Sequence, residues 1–398
     1  GYAYVDKTLL IEEFEEKKIK VALIPRFRRF GKTLNLSMLR YFFEKGKEDT
    51  SYLFKDLKIW KNEKYRALQG QFPVIFITLK DVKHSSWEKT FTSLQELIGK
   101  EFERHSYLLE GTILTSTEKE DYLRIIRRED GETLIEKSLL LLSEWLCRYY
   151  NKRVVLLIDE YDTPAHAAYI GNYYDTLIAF LHNWLSGGLK DNVFLERGVL
   201  TGILRIAKES IFSGLNNLSA FTILNETFSD KFGLLEAEVK QLLEDYYLSE
   251  KLDDIRNWYN GYRIGTSTNI YNPWSVLNCI ANKGALAPYW VNTSENALMK
   301  QLIAQGTDEF KADIEQLLKG DIIQKKIDDG VVFSELHQSP NAMWALLLYC
   351  GYLTLDITPS YGTPCHLRIP NIEVGELYKS MILEWFEKSI HEHKYNML

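Results

Sequence analysis

"LIPRFRRFGKTLNLSML", residues 23–39, is the stretch on which the reading of this chain turns. The apolar run "IKVALIP" (19–25) suits a buried strand, and "LNLSMLRYFFEK" (34–45) places apolar residues at helical spacing. Between them stands Gly31-Lys32-Thr33, the tail of a phosphate-binding loop, in the strand–turn–helix setting such a loop requires. Its chemistry needs backbone N–H groups converging on an anion, a lysine reaching the β and γ phosphates, and a hydroxyl for Mg2+. One position departs from the usual pattern. Arg26 stands five residues before Gly31, where a glycine belongs. Alone, the tripeptide fits a functional loop and a basic helix start about equally well.

A second stretch shifts that balance. "VVLLIDE" (154–160) is an apolar run that ends in Asp159-Glu160. In P-loop ATPases an aspartate at such a strand end helps hold Mg2+, and the following glutamate polarises the attacking water. A buried strand ending in two solvated acids is the plainer alternative. Found in order on separate strands, the two elements favour an ATPase. "LTGILRIAK" (200–208) adds a third. Thr201 is the candidate γ-phosphate sensor at a neighbouring strand end, with Arg205 or Lys208 as a source of positive charge for the transition state. Asp162 or Thr163 followed by Pro164 reads as a helix start. Arg26, Arg28 and Arg29 are strong anion partners, open to nucleotide, to a nucleic-acid backbone or to acids of the same domain.

The chain has 398 residues, 45% hydrophobic and 26% charged, an ordinary soluble composition that implies two or three domains. A net charge of −7 argues against a surface given over to nucleic acid, while leaving room for a local basic patch. The four cysteines show no CxxC pair, and free thiols in a reducing compartment are the expectation. His391-Glu392-His393 reads as a solvated helix end and not as a metal site. No apolar run reaches the ~18–20 residues that span a bilayer, so a cytoplasmic protein without membrane contact is expected. The missing initiator methionine implies a processed or trimmed start.

Further strands are expected at 72–79, 153–160, within 194–207, and at 219–224, alternating with helices such as 87–105 and 133–150. That alternation predicts a parallel sheet covered on both faces, residues 1–231 forming an α/β domain. Residues 232–300 read as helix, hairpin, helix, a winged-helix-like region, with Asn260-Gly261 as the hairpin turn and Asn272-Pro273 opening a helix. Residues 301–398 read as mostly helical, with a buried helix running into a strand at 343–355. A β-pair, "YLTLDI" with "HLRIP", then precedes a last helix at 372–392.

These motifs together resemble the predicted AAA-ATPase-like family of bacterial proteins, whose ATPase domain is often followed by a PD-(D/E)XK-type nuclease domain. The resemblance covers most of the chain: "YVDKTLLIEE" (4–13), "RFRRFGKTLNLSML" (26–39), "LLIDEYDTP" (156–164), "LTGILRIAKESIFSGLNNL" (200–218), "FGLLEAEV" (232–239), "WYNGYRIG" (258–265), "IYNPWSVLN" (270–278) and "YWVNTSEN" (289–296). In that family the loop reads Arg-Pro-Arg-Arg-Phe-Gly-Lys-Ser/Thr, so an arginine at Arg26 is its normal form, whereas Phe27 replaces its proline. The resemblance implies a P-loop parallel sheet binding ATP or ADP through Arg26, Arg28, Arg29, Phe30, Gly31, Lys32, Thr33 and Leu34. It places Mg2+ on Thr33 and Asp159, and gives catalytic roles to Glu160, Lys32, Thr201 and Arg205.

It further implies that residues 210–217, including Ser213, Asn216 and Asn217, lie near the nucleotide or its coupling surface, and that Asp6 and Lys7 lie on the adenine side. Residues 353–386 are similar to the segment leading into the nuclease, so that domain is expected to be missing here, trimmed or naturally absent. The leading function is therefore Mg2+-dependent ATP hydrolysis coupled to a nuclease or nucleic-acid partner, with ring assembly open. The rivals are a nucleotide-binding switch without hydrolysis, and a nucleic-acid module using Arg26–Arg29 and the 258–271 hairpin.

Overall fold

The computed structural model describes residues 4–46, 48–129, 131–205, 211–212, 214–290, 306–327, 339–360 and 362–395. Its centre is a five-stranded, all-parallel sheet of β1 (Val21–Pro25), β2 (Val74–Thr78), β3 (Val154–Asp159), β4 (Leu195–Gly202) and β5 (Leu218–Ala220), in the order β2-β3-β4-β1-β5. Every residue of β1 and of β3 is buried. That is why both read as unbroken apolar runs: helices cover both faces of the sheet.

Alternate residues serve opposite faces. Val21, Leu23, Val154, Leu156 and Ile158 pack on one side, beneath the helices α4 (Trp87–Arg104), α5 (Ser116–Arg127), α6 (Glu132–Tyr150) and α8 (Tyr174–Leu189). Ala22, Ile24, Val155 and Leu157 pack on the other, against α1 (Leu9–Glu16) and α2 (Lys32–Phe43). The short helices α3 (Glu63–Arg66) and α7 (Thr163–Ile170) add Tyr65 to the second cluster and Ala165 and Ala168 to the first. This is the mixed α/β arrangement of a P-loop nucleotide-binding sheet, with a smaller region after it.

Downstream, α9 (Glu236–Asp245) and α10 (Leu252–Tyr259) lead into the antiparallel pair β6 (Tyr262–Ile264) and β7 (Ser267–Ile270), then α11 (Pro273–Ala281). Asn272 caps α11 by accepting from the Trp274 and Ser275 N–H groups, as its position beside Pro273 predicts. The hairpin turn is different from the expected one. Asn260 is the C-cap of α10, and Gly261, at φ 101°, redirects the chain into β6. The strands reverse instead at Gly265-Thr266, where Gly265 has φ 54°. Helix termination and hairpin reversal ask for the same residue types, so the dipeptide alone did not separate them.

The C-terminal region holds a three-stranded antiparallel sheet, order β8-β10-β9, made of β8 (Ile323–Lys325), β9 (Thr354–Leu355) and β10 (Cys365–Arg368). The expected β-pair is β9 and β10. The strand β8 was not foreseen, because three residues carry too little periodicity to register.

One packed hydrophobic cluster runs from the sheet face through Phe27 and Phe30 to Tyr262 and on to the helix Pro340–Cys350. The Phe27, Phe30 and Tyr262 rings lie 4.9–5.0 Å apart, within the range of favourable aromatic pairs. The Tyr262 hydroxyl donates to the Gly351 carbonyl, and the Arg263 N–H donates to Thr354 Oγ1. Phe27 is thus a core residue joining the parallel sheet to the downstream region. Phe27→Ala should lower stability by about 3–5 kcal/mol in urea unfolding, and a loss below about 1 kcal/mol would show that this junction is loosely packed.

Candidate nucleotide site

The register of the sheet brings the site together. Ile24 pairs with Thr201, Pro25 with Gly202, and Thr78 with Asp159, so the strands end level. Because β4 lies between β1 and β3, Thr201 stands between the loop leaving β1 and the acids ending β3. Asp159 is fully buried, and its two oxygens are divided between two hydroxyls. Thr33 Oγ1 donates to Oδ2 at 2.7 Å, and Thr201 Oγ1 donates to Oδ1 at 2.6 Å. Three residues predicted from separate motifs therefore meet on one carboxylate.

Gly31 caps α2 in a left-handed conformation, φ 81°, with nothing near the position of an added Cβ. Backbone geometry, and not crowding, requires glycine there. Lys32 is buried and folds back, its Nζ donating to the carbonyls of Arg26 at 3.2 Å and Phe27 at 2.9 Å. Burial lowers its pKa, opposed by Glu160, Asp162 and Asp159. Glu160 has φ 51°, a conformation that is costly for a side-chain-bearing residue and clusters at functional sites. Its carboxylate accepts from Thr163 Oγ1 at 3.3 Å.

The arginines separate. Arg26 is fully buried and directed behind the loop. Its Nη1 donates to the carbonyls of Pro25 (2.9 Å) and Phe221 (2.5 Å), and its Nη2 to those of Thr227 (3.4 Å) and Phe228 (3.3 Å). The guanidinium also lies 5.0 Å from the Phe232 ring centre. Burial pulls its pKa down to about 9, and Glu13 opposes the shift. Arg29 lies over the Trp274 ring at 3.9 Å, in a left-handed conformation of φ 63°. Arg28 is half-buried and lines a cavity beside the loop. Phe30 is buried, Leu34 is exposed, and Arg205 is half-buried just beyond β4.

Asp162 was expected to cap α7. It occupies the N-cap position, but its carboxylate makes no cap bond to the helix. It accepts instead from the Ile203 and Leu204 N–H groups, at 2.9 and 2.7 Å, pinning the exit of β4. Burial raises its pKa to about 6, against the pull of those N–H groups and Lys32. The "DEYDTP" run held this signal, but only the fold shows which neighbour the acid serves.

Asn216 and Asn217 precede β5, at the amino ends of the strands, whereas the loop leaves the carboxyl end of β1. They lie far from the phosphate loop. Asn217 Nδ2 donates to the Leu189 carbonyl, and both residues border a second cavity with Lys20, Arg153 and Lys190. Lys7 pairs with Glu238 at 2.7 Å, and Asp6 accepts from the Thr8 and Lys58 N–H groups. Lys208 and Ser213 lie outside the described residues, as do the side chains of His391 and His393. Among the described residues no three His, Cys, Asp or Glu side chains cluster as a metal site, and no helix is long and apolar enough to cross a membrane.

Residues 1–212 match the family model described as Predicted AAA-ATPase. The chain belongs to this predicted AAA-ATPase family. A relative, the uncharacterized protein in the vnfD 5' region of Azotobacter chroococcum mcd 1, is 28% identical over 392 residues, covering 96% of this chain and 67% of its own length. Family membership carries nucleotide binding as its general expectation. The donor set of Thr33 and Asp159, a hydroxyl and a carboxylate, fits a hard, oxygen-ligated cation such as Mg2+.

Sequence reasoning missed the loop's far partners. Glu373 is buried, accepts from Ser275 Oγ and the Trp290 N–H, and lies near Arg29. Burial raises its carboxyl to about 7, with those hydrogen bonds and Arg29 opposing the shift. The folded state then holds a proton that the unfolded chain releases nearer the usual carboxylate range. That contribution to stability is present at low pH and lost as pH rises through the folded value. The melting temperature of wild type should therefore fall more steeply between about pH 5 and pH 8 than that of Glu373→Gln. Parallel curves for the two proteins would contradict this.

Restoring the usual glycine should also harm this loop. Arg26→Gly leaves four carbonyls without their donor, so a loss of about 2 kcal/mol or more in chemical unfolding is expected. A neutral or stabilising effect would mean that the guanidinium is not what holds the loop.

Proposed function

We propose that the protein binds and hydrolyses ATP with Mg2+, and transmits the nucleotide state to its downstream region, where a nuclease or nucleic-acid partner is acted on. The observation that carries this reading is the Asp159 carboxylate shared by Thr33 and Thr201 behind Gly31-Lys32. Mg2+, when bound, supplies charge neutralisation on the phosphates. Thr33 and Asp159 would hold it.

The chain's own groups do the remainder. Lys32 exchanges the Arg26 and Phe27 carbonyls for β and γ phosphate oxygens, a trade of neutral acceptors for charged ones that favours the bound state. The N–H groups opening α2 receive phosphate oxygens at a helix N-terminus. Glu160 orients the attacking water and accepts its proton. Thr201 reports the γ-phosphate through Asp159, and Arg28 and Arg205 are the candidates for stabilising charge in the transition state. Transmission runs backwards from the loop, through Phe27 and Phe30 to Tyr262 and through Arg29 to Trp274.

Phosphate release and nucleotide affinity, with and without Mg2+, test the assignment. Lys32→Ala should lose tight ATP binding. Glu160→Gln should keep binding while turnover falls by roughly a hundredfold or more. Normal turnover in both variants would overturn the assignment, and affinity without turnover in wild type would leave a binding switch in its place.

A further inference from the structure

The cavity bordered by Asn216 and Asn217, of about 580 Å3, opens at the end of the parallel sheet opposite the phosphate loop. Four neighbouring strands, β3, β4, β1 and β5 in sheet order, supply it from their amino ends. Arg153 stands immediately before β3, Lys20 immediately before β1 and Asn217 immediately before β5, while Asn192 and Val193 lie in the turn into β4. Parallel pairing puts all four amino ends on one edge, so stretches far apart in sequence line one space. Hydrogen bonds fix its walls. Asn192 is buried, donating to the Gly188 carbonyl at 2.8 Å and accepting from the Phe194 N–H at 3.0 Å. Asn217 is tied to the Leu189 carbonyl at 2.7 Å. Gly214, at φ 75°, leaves bare backbone beside Lys190, whose Nζ lies 3.3 Å from where a Cβ would stand.

Lys20, Arg153 and Lys190 bring three positive charges to this lining against the single carboxylate of Asp191. In a chain of net charge −7, such a cluster runs against the average. Lys20 is half-buried, and its Nζ donates to the Leu195 carbonyl. Burial lowers its pKa, Glu196 opposes the shift, and Arg153 and Arg197 add to it. Glu15 answers the charge of Arg197 at 2.7 Å. Among the described residues Arg153 and Lys190 form no ion pair, with Asp191 or any other acid. Like charges gathered in this way repel one another until an anion joins them. The lining also narrows the kind of anion. Among the described residues it holds no aromatic side chain on which a base could stack, and Val193 is its one large apolar group. A concave, polar, cationic site of this size suits a compact ligand with several negative oxygens.

We propose that this cavity binds a small multivalent phosphate anion, of the diphosphate or triphosphate class, at a site separate from the nucleotide loop. The planar guanidinium of Arg153 takes two of its oxygens, and Lys190 and Lys20 neutralise the remaining charge. Bound there, the anion draws the turn before β4 and the Asn216-Asn217 turn before β5 onto one ligand. The site does not depend on ATP hydrolysis, so failure of that reading leaves it standing.

Calorimetric titration of the full chain with pyrophosphate, in EDTA and at physiological salt, tests this. Pyrophosphate can also enter the phosphate loop, so wild type is titrated beside Lys32→Ala. The Lys32→Ala protein should still bind a single pyrophosphate, and any additional one in wild type belongs to the nucleotide loop. Arg153→Glu and Lys190→Glu, both at exposed positions, should each weaken the retained binding by roughly tenfold or more. Lys137→Glu, exposed near the far end of α6, should change it by less than about twofold. Circular dichroism checks that every variant is folded. Loss of all pyrophosphate binding in Lys32→Ala, indifference to both charge reversals, or an equal effect of Lys137→Glu would overturn the proposal. Affinity no better than about 1 mM would do the same. So would tighter binding of a short single-stranded oligonucleotide through Arg153 and Lys190, which would make the cavity part of a nucleic-acid track.

Discussion

Arg26 carries a positive charge into the interior at the end of β1, where the carbonyls of Pro25, Phe221, Thr227 and Phe228 receive it. A buried guanidinium without such acceptors would be strongly destabilising. The chain from 221 to 232 therefore has to lie where it does, and the phosphate loop inherits its position from that requirement. Where the usual pattern obtains its shape from a flexible glycine, this loop obtains it from hydrogen bonds behind it. Phe27 and Phe30 extend the same logic. Each is buried, and each packs on Tyr262, which belongs to a hairpin more than two hundred residues away in sequence.

This construction has a functional consequence. The face of the loop toward the nucleotide holds Lys32, Thr33 and the helix start, while its opposite face is welded to the downstream region. Arg29 adds a second link, through Trp274 toward Glu373. A change in where Lys32 points, from the loop's own carbonyls to a phosphate, acts on Arg26 and Phe27 directly, since those are the carbonyls it leaves. Under the proposed function, these contacts are the route by which nucleotide occupancy would be coupled to downstream packing, without a separate relay element.

The sheet was readable in the sequence because strands buried on both faces must be apolar throughout, as "VVLLID" is from 154 to 159. Gly31, Lys32, Thr33 and Asp159 were readable because their spacing is fixed by local geometry at a strand end. The long-range partners were not. Nothing in "PRFRRF" distinguishes Arg26, which turns inward to carbonyls, from Arg29, which lies on an indole ring. Asp162 looked like a cap because its neighbours Thr163 and Pro164 begin a helix, yet its carboxylate serves the exit of β4. Asn216 and Asn217 were expected near the nucleotide because the family resemblance implied it, but the chain returns to the amino end of the sheet before β5. In each case the side chain's chemistry was plain and its partner was set by topology.

Hydrogen–deuterium exchange with and without Mg-ATP tests the central claim, that the loop and the downstream region move as one mechanical unit. The account predicts that nucleotide slows exchange at residues 26–35 and also in the β6–β7 hairpin and at 351–355, none of which would touch it. Protection confined to the loop, with the hairpin and the 351–355 segment unchanged, would contradict it.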